Sequence, residues 1–444
     1  MSDFAGAQTQ KEVAALAGAA RQASRKLANL SAATRTSALL AIADAIEANH
    51  QSLLAANALD CTAAEPLVAS GKMPAALFAR LRIKNNGIRE MAQRVREVAK
   101  LPDPLGRRLS ATELDDGLVL EKVSCPLGVV AVVFEARPDV VPQLASLALF
   151  SGNALLLKGG AEAARSNEAL VNLWKETLRA FPEIPADSVT LLQSRQDVMA
   201  LLELEGKVDL LIPRGSKEFV SYIERNARIP VLGHGEGICH IYVDREADVN
   251  KAVAITVDSK TQYPAACNSA ETLLVHRDVA AGFVPAAVSA LRKAGVEVRG
   301  DDAVRQIVAG EMVSPASEDD WSTEYSDLIL AIKIVDDFDS ALEHIHRYGS
   351  KHTEAIVTEN AATAEQFLRE VDAAGVFHNA STRFADGYRY GLGAEVGISN
   401  AKLHARGPMG LEGLTTYKYK LRGSGQTVAE YSSGARAFRH KPVS

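Results

Sequence analysis

Gly128-Val-Val-Ala-Val-Val-Phe134 is the stretch on which the fold turns. An unbroken valine-rich run of this length, without alternating polar residues, suits a strand buried on both faces, as in parallel sheets covered by helices. The texture around it alternates between strand and helix. Residues 140–151 read as a helix, and Asn153-Ala-Leu-Leu-Leu-Lys158 as the next strand, closed by Gly159-Gly160. A helix over 163–180, a strand at 189–192, a helix near 195–204 and the strand Val208-Asp-Leu-Leu-Ile212 follow. This last strand runs into Pro213-Arg-Gly-Ser216 and a helix from about 217 to 226. Such a rhythm predicts an α/β fold. Ligands in parallel sheets bind beyond the carboxyl ends of the strands, which singles out the turns 134–138, 158–160 and 214–216.

The chain has 444 residues, 47% of them hydrophobic, more than one compact core accommodates, so two or three domains are expected. A net charge of −6 and scattered basic residues argue against nucleic acid and against an anionic membrane surface. The N-terminus lacks the pattern of a signal peptide, and no apolar run approaches eighteen residues, so a cytoplasmic protein is expected. Only Cys61, Cys125, Cys239 and Cys267 occur, without a Cys-x-x-Cys pair or metal-ligand spacing, and no metal site is expected.

Upstream of the valine run, residues 8–57 and 59–100 carry apolar positions at helical spacing. Residues 112–123 read as a hairpin turning at Asp115-Asp-Gly117. Downstream, after Leu232-Gly-His-Gly-Glu-Gly-Ile-Cys239, a second α/β series runs to about residue 378, and glycine-rich loops fill 380–413. The tail from 414 to about 421 reads as a strand able to pair with the hairpin or with another subunit.

Three features carry chemistry. Asp258-Ser-Lys-Thr-Gln-Tyr-Pro-Ala-Ala-Cys-Asn-Ser-Ala-Glu-Thr-Leu-Leu-Val-His276 breaks at Pro264, presents Cys267 among small residues, and enters a strand. A thiol on such a turn is open to a carbonyl substrate, and turn N–H groups can face an oxyanion; the plainer reading is a half-buried structural thiol. Gly215-Ser216 opening a helix offers N–H groups to a pyrophosphate, or Ser216 is simply a cap. Lys158 at a strand end can reach ribose hydroxyls or a 2′-phosphate, or is simply solvated. No Gly-x-Gly-x-x-Gly follows the first strand, so a dinucleotide site here is of another kind.

These features, in this order, resemble the aldehyde dehydrogenase superfamily. Val133-Phe-Glu-Ala-Arg-Pro-Asp139, Leu211-Ile-Pro-Arg-Gly-Ser216, His234-Gly-Glu-Gly-Ile-Cys-His240, Thr353-Glu-Ala-Ile356 and Leu403-His-Ala-Arg-Gly-Pro-Met-Gly-Leu-Glu412 are similar to its acyl-phosphate-reducing members over nearly the whole chain. The resemblance implies two Rossmann-like parallel-sheet domains plus a small β oligomerisation element. Their expected extents are 1–109, 125–242 and 379–400 for the cofactor-binding domain, 243–378 for the catalytic domain, and 110–124 with 401–444 for the oligomerisation element. It also implies a homo-oligomer, dimer or tetramer, and an upstream glutamate kinase as a partner.

By the same resemblance Cys267 is the nucleophile, helped by Asn268. Lys158 contacts the adenosine ribose, Gly215 and Ser216 sit by the pyrophosphate, and Glu324 holds the nicotinamide ribose. Arg137 and Arg383 are candidates for the substrate α-carboxylate, which needs a cationic partner when buried, and the loop 393–399 is a candidate for the amino-acid end. The implied reaction is reduction of γ-glutamyl phosphate to glutamate 5-semialdehyde by NADPH through a thioacyl enzyme, the second step of proline biosynthesis from glutamate. NADPH is expected because Ala161 stands where NAD-using relatives often carry an acid, and Lys158 and Arg165 could meet a 2′-phosphate, against Glu162 nearby.

Two departures from oxidising members matter. His234, with Glu236 two residues on, falls near the place of their general-base glutamate, and an acyl-phosphate reductase must avoid activating water against a thioester. Ala136 aligns with the asparagine of their oxyanion hole, leaving the Cys267 backbone and Asn268 as donors. A CoA-acylating enzyme, an ordinary aldehyde oxidiser and a catalytically silent scaffold are the alternatives.

Overall fold

The computed structural model describes residues 2–215, 217–233, 236–308 and 313–443. Compactness divides the chain into two units: unit 1 is Met1–Leu232, Leu392–Gly397 and Met409–Ser444, and unit 2 is Gly233–Gly391 and Ile398–Pro408. The break between Leu232 and Gly233 falls ahead of the expected 242/243 boundary, which would have cut through the ladder strand Cys239–Val243.

Unit 1 begins with helices Ser2–Leu27, Ala32–Ala48 and His50–Ala69. Ser31 caps the second by accepting the Thr34 N–H at 3.0 Å, satisfying a donor that the first turn leaves open. The hairpin follows as β1 (Arg108–Asp115) and β2 (Leu118–Pro126). Next come β3 (Val129–Val133), β4 (Ala154–Lys158), β5 (Val189–Leu191) and β6 (Leu210–Pro213). These last four form a parallel sheet in the order β5-β4-β3-β6. All five residues of β3 are buried, as the valine run requires of a central strand. In register, Val133 lies between Lys158 and Pro213, so the predicted binding turns leave the sheet side by side at its carboxyl edge.

Unit 2 is built on a seven-stranded parallel sheet. Its strands are β7 (Cys239–Val243), β8 (Ala270–His276), β9 (Glu297–Gly300), β10 (Ser314–Pro315), β11 (Ile329–Val335), β12 (Thr353–Val357) and β13 (Gly375–His378). Their order is β10-β9-β11-β8-β7-β12-β13, and β8, with every residue buried, is central. Helices Val249–Thr261 and Arg277–Lys293 flank β8 in sequence, the first capped by Asp248 through the Lys251 N–H at 2.8 Å. Phe283, Val284 and Leu291 of the second helix join Leu273 and Val275 of β8 in one core cluster. Full burial of each such side chain stabilises by about 1.5–3 kcal/mol. Short strands β14 (Ile398–Ser399) and β15 (Gly407–Pro408) pair antiparallel.

The tail returns to unit 1 as β16 (Thr415–Arg422) and β17 (Lys441–Pro442). As expected for the hairpin pairing, β16 lies on β2, antiparallel from Thr415↔Pro126 to Arg422↔Val119, giving the sheet β16-β2-β1-β17. Among the described residues no helix is long and apolar enough to cross a membrane.

Candidate active site

In unit 1 the carboxyl edge of the sheet gathers Glu135, Lys158 and Gly215. A Cβ on Gly215 would lie 3.3 Å from the Glu135 carboxylate, so the turn after β6 runs against the turn after β3. Lys158 is half-buried, and burial pulls its ammonium below the ordinary lysine range despite the opposing charges of Glu162, Asp197 and Glu135. Solvent reaches Glu135, yet enough protein surrounds it that burial, with Glu162 adding repulsion, raises its carboxyl. Among the described residues none hydrogen-bonds or ion-pairs with the Lys158 ammonium, so its three donors are available at the strand end.

The turn beside Lys158 is tightly specified. Glu162 Oε1 accepts the Ala136 N–H at 2.6 Å, holding buried Ala136 at φ +30°, a sparsely populated conformation of the kind that collects at functional sites. A Cβ on Gly160 would lie 1.9 Å from the same Glu162 oxygen, so a larger residue there would push that carboxylate aside. Ser216 and His234 lie outside the described residues. Arg137 is exposed and donates to Asp139 at 3.1 Å. Arg165 faces Asp60 at 3.7 Å, whereas the second cation that Lys158 senses is Arg195, first residue of the helix Arg195–Leu202. Because β4 and β5 are neighbours, the turn carrying Arg195 leaves the sheet beside Lys158; sequence reading missed this residue, since the order of strands decides it.

In unit 2 Cys267 sits half-buried on the turn between helix Val249–Thr261 and β8, the placement its sequence predicts. Main-chain bonds Ala266 N–H to Tyr263 O at 3.2 Å and Ser269 N–H to Ala266 O at 2.8 Å close the turn. The buried Cys239 thiol donates to the Cys267 carbonyl at 3.3 Å. Gly237 packs so closely that a Cβ there would lie 1.9 Å from that oxygen. None of the four cysteines is in a disulfide.

Arg383 joins this turn from the loop after β13. Its Nε donates to Gln262 Oε1 at 2.9 Å, and its guanidinium lies 5.9 Å from the Tyr263 ring centre. It is only 6% exposed, and burial lowers its pKa, with Arg389 adding to the effect, while Asp386, Cys267 and Asp258 pull the other way. Through Gln262 and Tyr263 the guanidinium is held against the turn that carries Cys267. Asn268 is buried, and its Nδ2 donates to the Ala385 carbonyl at 2.7 Å, which fastens the Cys267 turn to the Arg383 loop. Glu324 is half-buried ahead of β11 and near enough to Glu271 of β8 to raise that carboxyl. Among the described residues no group of three or more His, Cys, Asp or Glu is disposed to hold a metal ion.

A half-buried cysteine on a turn of one parallel-sheet unit, and a lysine-bearing strand edge without the usual glycine fingerprint on another, fit the class of enzyme that the motifs resemble. The family model "Aldehyde dehydrogenase family" matches residues 3–323, and the chain belongs to that family. Among its relatives there are γ-glutamyl phosphate reductases. It is 57% identical over 423 residues to the one of Synechococcus sp. strain JA-3-3Ab, covering 95% of this chain and 92% of the relative. It is 53% identical over 427 residues to the one of Haloquadratum walsbyi, covering 95% and 93%. The crystal structure of the Thermotoga maritima γ-glutamyl phosphate reductase superposes with a TM-score of 0.90 at 42% identity, over 94% of this chain and 99% of that one. An acetylating aldehyde dehydrogenase from Geobacillus thermoglucosidasius shares the fold, with a TM-score of 0.67 at 17% identity. The resemblance and the aldehyde-dehydrogenase-like α/β fold read from the motifs both stand.

Proposed function

We propose that the chain reduces γ-glutamyl phosphate to glutamate 5-semialdehyde and phosphate with NADPH, by way of a thioacyl group on Cys267. The observation that carries this reading is the Cys267 turn with the Arg383 guanidinium beside it. Cys267 Sγ attacks the acyl carbon, a bond to sulfur forms, and the C–O bond to phosphate breaks with the electron pair leaving on phosphate. When bound, NADPH supplies the hydride that converts the thioester to a thiohemiacetal. Collapse of that adduct breaks the C–S bond and returns the electron pair to Cys267 Sγ, a good leaving group for the same reason that it is a good nucleophile. Arg383 receives the substrate α-carboxylate. The Cys267 N–H and the second hydrogen of Asn268 Nδ2 are the donors for the oxyanion.

Unit 1 offers a fitting seat for the dinucleotide. The unspent ammonium of Lys158 suits ribose hydroxyls or a 2′-phosphate, Arg195 adds a second cation, and Gly215, just ahead of helix Lys217–Asn226, suits the pyrophosphate. Glu324 takes the nicotinamide ribose. These two cations support the choice of NADPH over NADH.

We assign the enzyme to the cytoplasm, and its acyl phosphate to a glutamate kinase acting one step earlier, since so labile an anhydride is best passed on directly. We also infer a homo-oligomer, a reading supported by β16, an edge strand with Tyr417, Tyr419 and Leu421 exposed. The domain extents expected from sequence remain our reading for an oligomerisation element at 110–124 and 401–444.

The test is phosphate-dependent oxidation of glutamate semialdehyde, followed as NADPH formation, with Cys267→Ser beside the parent. Expected is loss of turnover with NADPH binding retained. Full activity in the Ser variant would overturn the assignment of the nucleophile, and acyl-CoA dependence in place of phosphate dependence would favour the acylating relatives.

A further inference from the structure

Unit 2 contains a buried ion pair that none of the steps above uses. Lys260, in the last turn of helix Val249–Thr261, and Glu271, second residue of β8, are both fully buried, with Nζ and Oε2 2.6 Å apart. A buried pair of this kind rarely stabilises more than apolar side chains of the same size would, so its placement calls for another reason. The two residues bracket Cys267 in sequence, one on the helix entering the turn and one on the strand leaving it.

The second carboxylate oxygen of Glu271 points to the Glu324 loop. Oε1 accepts the Ser326 N–H at 3.4 Å, and Ser326 holds φ +51°, unusual for a residue other than glycine. Tyr325, between Glu324 and Ser326, lies with its ring centre 6.0 Å from the Lys260 ammonium and 5.1 Å from the Arg299 guanidinium. Its hydroxyl donates to Asp320 at 2.6 Å, and Arg299 donates to Asp320 at 2.7 Å. One carboxylate therefore fastens the strand behind the nucleophile to the helix before it and to the segment bearing Glu324.

We propose that Lys260 and Glu271 are positioning residues that fix Glu324 relative to Cys267, so that the carboxylate receiving the nicotinamide ribose is held in register with the nucleophile. This rests on the assignment of Glu324 above. A charged pair serves better than an apolar one because Oε1 must accept a main-chain hydrogen bond, and Lys260, 2.6 Å away, opposes the burial that on balance still raises the Glu271 carboxyl to about 7.

The experiment compares Glu271→Gln, the charge-free double variant Lys260→Met/Glu271→Gln, and Glu324→Gln with the parent. NADPH affinity is read by fluorescence titration, Cys267 accessibility by its alkylation rate with iodoacetamide, and KM and kcat by steady-state assay. Both pair variants are expected to weaken NADPH binding and raise its KM about tenfold, as Glu324→Gln does, with the alkylation rate within about twofold of the parent. Parental NADPH affinity in the folded double variant, alongside weakened binding in Glu324→Gln, would overturn the positioning role and leave Glu324 in place. Parental affinity in Glu324→Gln would overturn the ribose assignment and the proposal with it. A pair that merely held the fold would lower the unfolding temperature of the double variant without separating KM from kcat, and that result too would overturn the proposal.

Discussion

The Cys239 thiol donates a hydrogen bond to the main-chain oxygen of Cys267, 3.3 Å away. Burial, reinforced by the negative charges of Glu354 and of a Cys267 thiolate, raises the Cys239 pKa well above the usual thiol range, so this sulfur stays protonated and acts as a donor. The Cys267 peptide is thereby held by a protonated thiol.

Gly237→Ala tests how tightly that peptide is held. Its new Cβ would meet main-chain atoms of Cys267 at 1.9–2.6 Å, which no rotamer change relieves. Displacing a reacting group by about 1 Å can cost about 100-fold in rate, so kcat/KM is expected to fall at least that far. Cys239→Ser, which keeps a donor in place, is expected to stay within about tenfold of the parent in the same assay.

Arg383→Lys separates charge from shape. Lysine keeps the positive charge but loses the planar fork and the bond to Gln262. The expected result is a rise of about tenfold or more in KM for glutamate semialdehyde, with a smaller change in kcat and an unchanged KM for the dinucleotide. Steady-state kinetics against each substrate in turn provide the measurement.

Cofactor choice is tested at Lys158 and Arg195. Hydrogen bonds to charged groups contribute about 1.5–3 kcal/mol, so Arg195→Ala is expected to lower kcat/KM for NADPH by about tenfold or more and to leave NADH nearly unaffected. Lys158→Met is expected to weaken both cofactors, as the ribose role proposed for the lysine requires. The ratio of NADPH to NADH efficiency reads the difference.

Asp320 makes stability depend on pH. Hydrogen bonds from Tyr325, Arg299 and Ser317 hold its carboxyl at about 2, against an ordinary 3.8, and outweigh the opposing effect of burial. A carboxyl depressed in the folded state stabilises fully above its unfolded pKa, and that contribution is lost as pH falls toward the folded value. Asp320→Asn is therefore expected to unfold about 2 kcal/mol more easily than the parent at pH 7. The difference should shrink between about pH 4 and pH 2, as followed by urea titration at each pH.

Much of this molecule was legible in its sequence because the signals were local. The valine run at 129–133 and the glycine and proline breaks around Cys267 each constrain their own few residues, and β3 and the nucleophile turn formed where those patterns put them. That the tail pairs with β2, in register from Thr415↔Pro126, came only from the structure. Side-chain partners were least legible, because they depend on which strands lie side by side. Arg165 reads as a neighbour of Lys158 in sequence but turns to Asp60, while Arg195 arrives from the next strand. Cys239 and Glu271 looked like ordinary strand residues until the order β8-β7-β12 and the Ser326 loop placed them behind Cys267.

The pairing of β2 with β16 also sets a timetable for the ribosome. Residues 118–126 emerge early, but the strand that covers their outer edge, 415–422, is made almost last. At about 5–20 residues per second the gap lasts on the order of tens of seconds. Throughout that interval the nascent chain carries an open row of main-chain donors and acceptors, a template for wrong partners. A truncated polypeptide ending before Thr415 should accordingly be captured by holdase chaperones or aggregate, and a separate peptide spanning β16 should rescue its solubility.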